Sequence, residues 1–388
     1  MGDVIEIIEN LPVQLLFGRG KAAEIGRHAS RFGRSALLVT GRKSTRRSGL
    51  LDKVTADLKA CGVETTVFDR VDSNPDTTTA EEGAELIRKN RYDVVIALGG
   101  GSILDCAKAM AFSADNPGDL SDYIFGRKTG KSKIPLIAVP TTCGTGSEGN
   151  GFAVLTHPET HDKKSLRDLS CVPTLSIVDP ELMLTMPRPI AASVMFDALC
   201  HNMEAFLSRT TTSANEELPL YGIQLLGENI LRAYEDYDDE SAWDRVCLGS
   251  TLGGVNIQAT GVTAPHGMEH PASGLRDITH GRGLAALVPV ITAASIEAAP
   301  EKYREISLRI GGTSEFDLVD RLCEILDRLN LTTNLAREGI EPQDIDWMTE
   351  NCFRVSAPSM ASHPRVFTVE EVRDLYLSAM NEWPGARG

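Results

Sequence analysis

Across 388 residues, 42% apolar and 24% charged side chains give an ordinary balance for a folded protein long enough to build two cores. The 39 Lys and Arg against 54 Asp and Glu leave a net charge of −15, which argues against a general nucleic-acid binder or a protein held on an anionic membrane. Eight scattered cysteines without a C-x-x-C spacing read as reduced core residues, and set the expectation of a cytoplasmic protein. The acidic opening, residues 1–12, lacks the basic and apolar regions of a secretory leader. No apolar run approaches the ~20 residues of a membrane span.

The first half alternates. A strand and turn at 13–20 lead to a helix at 21–32, then a strand at 35–41, a helix at 50–62 and a strand at 64–71. A helix at 78–90, a strand at 92–101, a helix at 102–114 and a strand at 133–142 follow. Short β-branched runs between amphipathic helices predict an α/β domain with a doubly wound, mostly parallel sheet covered on both faces. Residues 152–159 and 175–183 read as further strands with turns. After about Pro180 the apolar spacing is helical throughout, as at 190–208, 220–236, 316–329 and 369–380. The expected division is residues 1–182 as the α/β domain and 183–388 as an all-helical domain.

Three strand ends in the first half suit a phosphate-bearing ligand. Gly99, Gly100 and Gly101 let the backbone turn sharply into a helix opened by Ser102, whose N-terminal N–H groups attract a pyrophosphate. This is neither G-x-G-x-x-G nor a P-loop, and an ordinary tight turn has the same appearance. After the next strand, Thr141, Thr142, Thr145 and Ser147 offer hydroxyls between Gly144 and Gly146. At the end of strand 35–41, Gly41 stands where a carboxylate would bind ribose hydroxyls, followed by Arg42, Lys43, Arg46 and Arg47. A missing carboxylate with cations beside it favours an adenosine 2′-phosphate; the bland alternative is a solvated basic loop.

The second half carries one Asp and four His in two short stretches. Asp197 and His201 stand four apart, on one helix face. His266 and His270 follow with the same spacing, and His280 lies just beyond a stretch containing Pro and Gly, read as a turn. One carboxylate with three imidazoles suits a divalent first-row metal and leaves room for a substrate oxygen. A competing pattern is His266-x-x-Glu269-His270, the H-x-x-E-H of some zinc peptidases, with Glu269 as general base.

Taken in order, these segments resemble the iron-containing (group III) alcohol dehydrogenase family over essentially the whole chain. The resemblance is carried by Asn74-Pro75, by Gly99–Lys108 with Ser102 and Asp105, and by Pro140–Glu148. Asp197–His201 and the triple-histidine stretch complete it, and residues 280–289 look most like the butanol-dehydrogenase branch. The resemblance implies Asp197, His201, His266 and His280 as metal ligands, with His270 beside the substrate in proton relay. It places dinucleotide contacts at Asn74, Gly100, Gly101, Ser102, Asp105, Thr141, Thr142, Thr145 and Lys163, to which the strand-end reading adds Gly41, Arg42 and Lys43. Phe152, Ile257, Val262 and His363 are expected to shape the substrate pocket. Gly41 replaces the Asp of NAD-preferring members, and Glu269 fills a slot that is often small.

The resulting expectation is a hydride transfer between NAD(P), with NADP favoured, and a small primary alcohol or aldehyde. Fe2+ is the expected ion, with Zn2+ also able to occupy the site, and the chain is expected to form a homodimer. A polyol (glycerol-type) dehydrogenase is the alternative within the same superfamily. Outside it stand the zinc peptidase and a catalytically silent metal- or nucleotide-binding protein.

Overall fold

A computed structural model describes residues 13–381; the acidic opening read above lies outside them. The strands are β1 (Leu15–Phe17), β2 (Ser35–Gly41), β3 (Glu64–Val71), β4 (Val94–Gly99), β5 (Leu136–Pro140), β6 (Phe152–Thr156), β7 (Lys163–Arg167) and β8 (Leu175–Val178). Six of them form one sheet in the order β1-β8-β5-β4-β2-β3, every pair parallel. The long helices between them are α1 (Leu50–Ala60), α2 (Thr77–Asn90) and α3 (Gly101–Asp115).

The sheet is buried on both faces. Leu37 and Val39 of β2 pack with Val95 and Ala97 of β4 in one core cluster. The intervening Ala36, Leu38, Val94, Ile96 and Leu98 pack in another. This is the period-2 alternation of a strand with both faces covered. β2 pairs with β3 on one side and β4 on the other, so the strand order reverses there. Gly41, Gly99 and Pro140 therefore end adjacent strands at the switch point where open parallel sheets bind ligands.

β6 pairs with β7 in a separate two-stranded sheet. The sequence reading missed β7, because KKSLR has neither apolar alternation nor a turn signal.

The chain divides into two compact units. The first holds the residues up to Thr142, with Gly146–Thr160 and Lys164–Met186. The second runs from Pro187 and also takes in Cys143–Thr145 and His161–Lys163. The break thus falls slightly later than the expected 182/183, and two short loops of the first half belong to the helical unit. Their packing explains this: a Cβ on Gly144 would come within 2.5 Å of Val194 Cβ, so only glycine permits the approach. Lys163 Nζ, for its part, donates to Ser273 Oγ at 2.8 Å.

No strand follows Val178 among the described residues. The second unit contains α4 (Arg188–Leu207), α5 (Glu217–Glu235), α6 (Glu240–Thr260), α7 (Ala264–Arg276), α8 (His280–Ser295) and α9 (Pro300–Arg309). α10 (Leu318–Arg328), α11 (Asp344–Val355), α12 (Ala357–Ser362) and α13 (Val369–Ala379) complete it. α4 packs against α5, α6 and α8, and α7 against α8 and α11. The stretch between His270 and His280 is not a turn: α7 continues through Pro271 to Arg276, and Asp277 in the left-handed region (φ 52°) ends it. The segment from His280 to Ala298 is long and apolar enough to cross a membrane by composition, but most of it is buried in this unit.

Six cysteines (106, 143, 171, 200, 247 and 352) are buried, and Cys61 and Cys323 are half-buried. Burial pushes the Cys171 and Cys352 thiols up to about 12 and that of Cys200 well above the ordinary value.

Candidate functional site

α4 supplies the first two candidate ligands. Sixteen of its twenty residues are buried, so it is apolar nearly all round and its polar side chains need partners. Asn202 has them: Nδ2 donates to the carbonyls of Ala198 and Gly249, and Oδ1 accepts from Asn256. Asp197 differs. Its Oδ1 is buried and has no hydrogen-bond partner.

Three imidazoles converge on that oxygen. Oδ1 of Asp197 lies 3.6 Å from His201 Nδ1, 3.4 Å from His266 Nε2 and 3.7 Å from His280 Nε2. His266 Nε2 is also buried without a hydrogen-bond partner. Two donors each about 2.1 Å from one tetrahedral ion lie about 3.4 Å apart, so this spacing fits a shared metal. Asp197, His201 and His266 bring one donor atom each within 4.8 Å of one another. An orphaned oxygen facing an orphaned nitrogen across 3.4 Å fits a cation held between them.

Carboxylates hold two of the rings from behind. Nδ1 of His266 donates to Glu204 Oε1 at 2.5 Å, while Glu204 Oε2 accepts from the N–H of Thr263 at 2.6 Å. In His201 the nitrogen nearest Asp197, Nδ1, itself lies 3.3 Å from the Gly144 carbonyl, whereas Nδ1 of His280 is hydrogen-bonded to Glu269 Oε2 and its Nε2 is turned to Asp197. A ring tied at one nitrogen presents the other in fixed orientation and as a stronger donor. The sequence reading missed Glu204, although 197, 201 and 204 form one helical stripe (i, i+4, i+7).

The electrostatics agree. Burial works against ionisation of Asp197, but the charges of His201, His280 and His266 outweigh it and hold the carboxyl well below the usual range. Burial likewise opposes a charge on His266, yet Glu204 and Asp197 hold it up to about 10. Burial alone dominates at His201 and pushes it down to about 4. Ligation by His266 therefore requires a proton to leave.

His270 is half-buried on α7, its ring centroid 6.1 Å from that of His266 and 5.8 Å from that of His280. Of the expected pocket residues, Ile257 and Val262 are buried in the second unit and Phe152 lies in the first, under the Arg167 guanidinium. His363 is nearly inaccessible and bonded at both nitrogens, to Ser295 Oγ at 2.9 Å and Thr263 Oγ1 at 3.1 Å. Thr263 Oγ1 reaches Glu204 at 3.2 Å, so His363 braces the carboxylate behind His266.

In the first unit, α3 starts directly from the Gly99–Gly101 turn, so its free N–H groups face the sheet's switch point. Ser102 Oγ donates to the Ser73 carbonyl and pins the turn that carries Asn74. Thr141 N–H bonds the Gly99 carbonyl at 2.9 Å, and Thr142 packs on Gly100. Two expected cofactor contacts are otherwise engaged. Asp105 accepts from Ser147 Oγ at 2.5 Å and from Val154 N–H at 2.9 Å, which fixes the loop after β5. Buried Lys108 braces the same loop through Ser147, Asn150 and the Phe152 carbonyl. Arg42 forks onto Asp72 at 2.7 and 2.9 Å, and Arg46 bonds Asp69 at 2.6 Å.

Comparison with known proteins matches residues 12–180 to the profile of iron-containing alcohol dehydrogenase and residues 191–380 to the C-terminal profile of the same family. The chain is 30% identical over 380 residues to NADPH-dependent butanol dehydrogenase of Clostridium saccharobutylicum, covering 94% of this chain and 96% of that one. It is 27% identical over 378 residues to NAD-dependent methanol dehydrogenase of Bacillus methanolicus, covering 95% and 99%. Among solved structures, an archaeal halo-thermophilic alcohol dehydrogenase from a Red Sea brine pool superposes with a TM-score of 0.89 at 30% identity, covering 95% of this chain and 98% of that one. The peptidase reading gains nothing from the site, where Glu269 is buried against His280.

Proposed function

The chain belongs to the iron-containing alcohol dehydrogenase family and is an oxidoreductase, and from that premise we propose that it moves a hydride between NADP and a small primary alcohol or aldehyde. The observation that carries this reading is the buried, unpartnered Asp197 Oδ1 with three imidazole nitrogens 3.4–3.7 Å away. Asp197, His201, His266 and His280 would hold the ion, Fe2+ by family or Zn2+ by affinity. When bound, such an ion supplies Lewis acidity to a substrate oxygen, and the nicotinamide carries the hydride.

The rest is done by the chain. Asp197 supplies the anionic ligand, Glu204 and Glu269 fix two of the imidazoles, and His270 moves the alcohol proton. The Gly99–Gly101 turn and the start of α3 seat the pyrophosphate. The homodimer and the cytoplasmic setting expected from the sequence belong to the same proposal.

The test is turnover of metal-loaded protein on a panel of primary alcohols, aldehydes, diols and glycerol, followed by nicotinamide absorbance. Rapid oxidation of short primary alcohols that stops on chelation and returns with Fe2+ or Zn2+ is the expected result. Turnover restricted to glycerol-type polyols would favour the alternative within the superfamily, and no turnover on any of them would overturn the reading.

NADP preference is the finer part of the proposal. β2 ends in Gly41, so no carboxylate opposes a 2′-phosphate there, and Arg42 and Lys43 follow. Arg42 must share its fork with Asp72, which keeps the preference moderate. A Cβ at position 41 would meet only Ile103 at 3.4 Å and the Val71 carbonyl at 3.7 Å, so an aspartate fits. Repulsion between that aspartate and a phosphate ~5 Å away is on the order of 1–3 kcal/mol near a surface. Gly41→Asp should therefore lower kcat/KM for NADP relative to NAD by roughly tenfold or more. A wild-type enzyme already faster with NAD contradicts this part alone.

A further inference from the structure

Asp197, His201, His266 and His280 suffice for the proposed metal shell, and Glu204 already serves His266. Glu269 is left over. It stands on α7 beside His270 and is fully buried, and its two oxygens face different partners. Oε2 is hydrogen-bonded to His280 Nδ1 and, at 3.2 Å, accepts from the Ser273 hydroxyl. Oε1 has no hydrogen-bond partner and faces α8: a Cβ on Gly283 would lie 2.8 Å from both Oε1 and Cγ of Glu269. The carboxylate is thus lodged against the first turn of α8, the end of a helix whose dipole favours an anion. Ser273, which donates to this carboxylate, is in turn held by Lys163 Nζ at 2.8 Å.

We propose that Glu269 is a positioning residue for the metal shell, holding His280 with Nδ1 turned to its own carboxylate and Nε2 turned to Asp197, in a seat that Gly283 leaves open. The proposal rests on the metal reading above.

A role as ligand to a second ion fits less well. Glu269, His270 and His280 do bring one donor atom each within 4.8 Å of one another. However, Oε2 is in direct hydrogen-bond contact with Nδ1, closer than the ~3.4 Å of two donors sharing an ion. Oε1, the other oxygen, is turned to Gly283.

The test uses the purified full chain, stripped by a chelator and titrated with Co2+, reading equivalents bound, affinity and the visible ligand-field bands. Wild type should take one equivalent. Glu269→Ala should still take one, with affinity about 10–100-fold weaker and shifted bands. Glu269→Gln, whose amide oxygen can still accept from Nδ1, should restore the wild-type bands. Gly283→Ala should push the carboxylate from its seat and weaken Co2+ as Glu269→Ala does. In the Glu269→Ala background it should add no further loss. Because Gly283→Ala removes a glycine from a helix, it should keep the fold, and it carries the test with Glu269→Gln if Glu269→Ala misfolds.

The proposal is overturned by unchanged affinity and bands in Glu269→Ala, or by Gln bands identical to those of Ala. It is equally overturned by metal loss as complete as in His280→Ala, by two equivalents in wild type falling to one in Glu269→Ala, or by additive losses in the double variant. Wild type that takes no Co2+ overturns the metal reading as well. Wild type that binds Co2+ undisturbed by any of these variants overturns the positioning role alone.

Discussion

His266→Ala is expected to lose its metal and its turnover together while most of the chain stays folded. His266 is the ligand with the most to lose. Its Nε2 is the imidazole nitrogen nearest Asp197 Oδ1, at 3.4 Å, and its Nδ1 is tied to Glu204. Truncation removes a donor and also leaves the buried Glu204 carboxylate without its imidazole. Lewis-acid assistance is worth several kcal/mol, so kcat should fall by roughly 10³-fold or more. Breaking a buried pair on one side costs about 3–5 kcal/mol, so the second unit should also melt earlier. The first unit has its own clusters on both faces of its sheet and should be untouched. His280→Ala should likewise lose metal with a smaller effect on melting, because the His280 side chain is 25% exposed. Metal content and kcat on one purified sample check both. Full activity in a metal-free preparation would sink the assignment.

His270 should behave differently. It follows His266 by one helical turn and is half-buried beside His266 and His280. A group that only moves a proton contributes about 10²–10⁴-fold to rate. His270→Phe should therefore keep near-stoichiometric metal, lower kcat within that range and alter its pH profile. If the variant empties the site as fully as His266→Ala, His270 is a ligand and the relay assignment fails.

The parts of the fold written in local periodicity are legible in the amino-acid order itself. β2 and β4 are continuous apolar runs and α4 an apolar helix, and the Asp197/His201 spacing by itself names a helix face. The sequence is silent where the answer depends on distant residues meeting. Nothing in KKSLR marks β7, whose only cue is its partner β6. Asp105 matches a cofactor motif, yet its carboxylate is engaged by Ser147 and Val154, more than forty positions away. Arg42 reads as available for a phosphate, but Asp72, thirty positions on, meets its fork. His363 reads as pocket lining, but it closes a hydrogen-bonded chain from Ser295 through Thr263 to Glu204. Glu269 reads as a peptidase base or an oversized substitution, and only the space left by Gly283 shows where its carboxylate goes.

The buried thiols have a consequence for how the two units can be watched at work. A thiol that is inaccessible and reluctant to ionise reacts with an alkylating reagent only when the surrounding structure opens. Cys200 lies inside α4 between Asp197 and His201, whereas Cys106 and Cys171 lie in a core cluster of the sheet. Each is a clock already wound into the sequence, one timing the breathing of the helix that carries the metal ligands, the others the breathing of the nucleotide-type sheet, with no label to engineer.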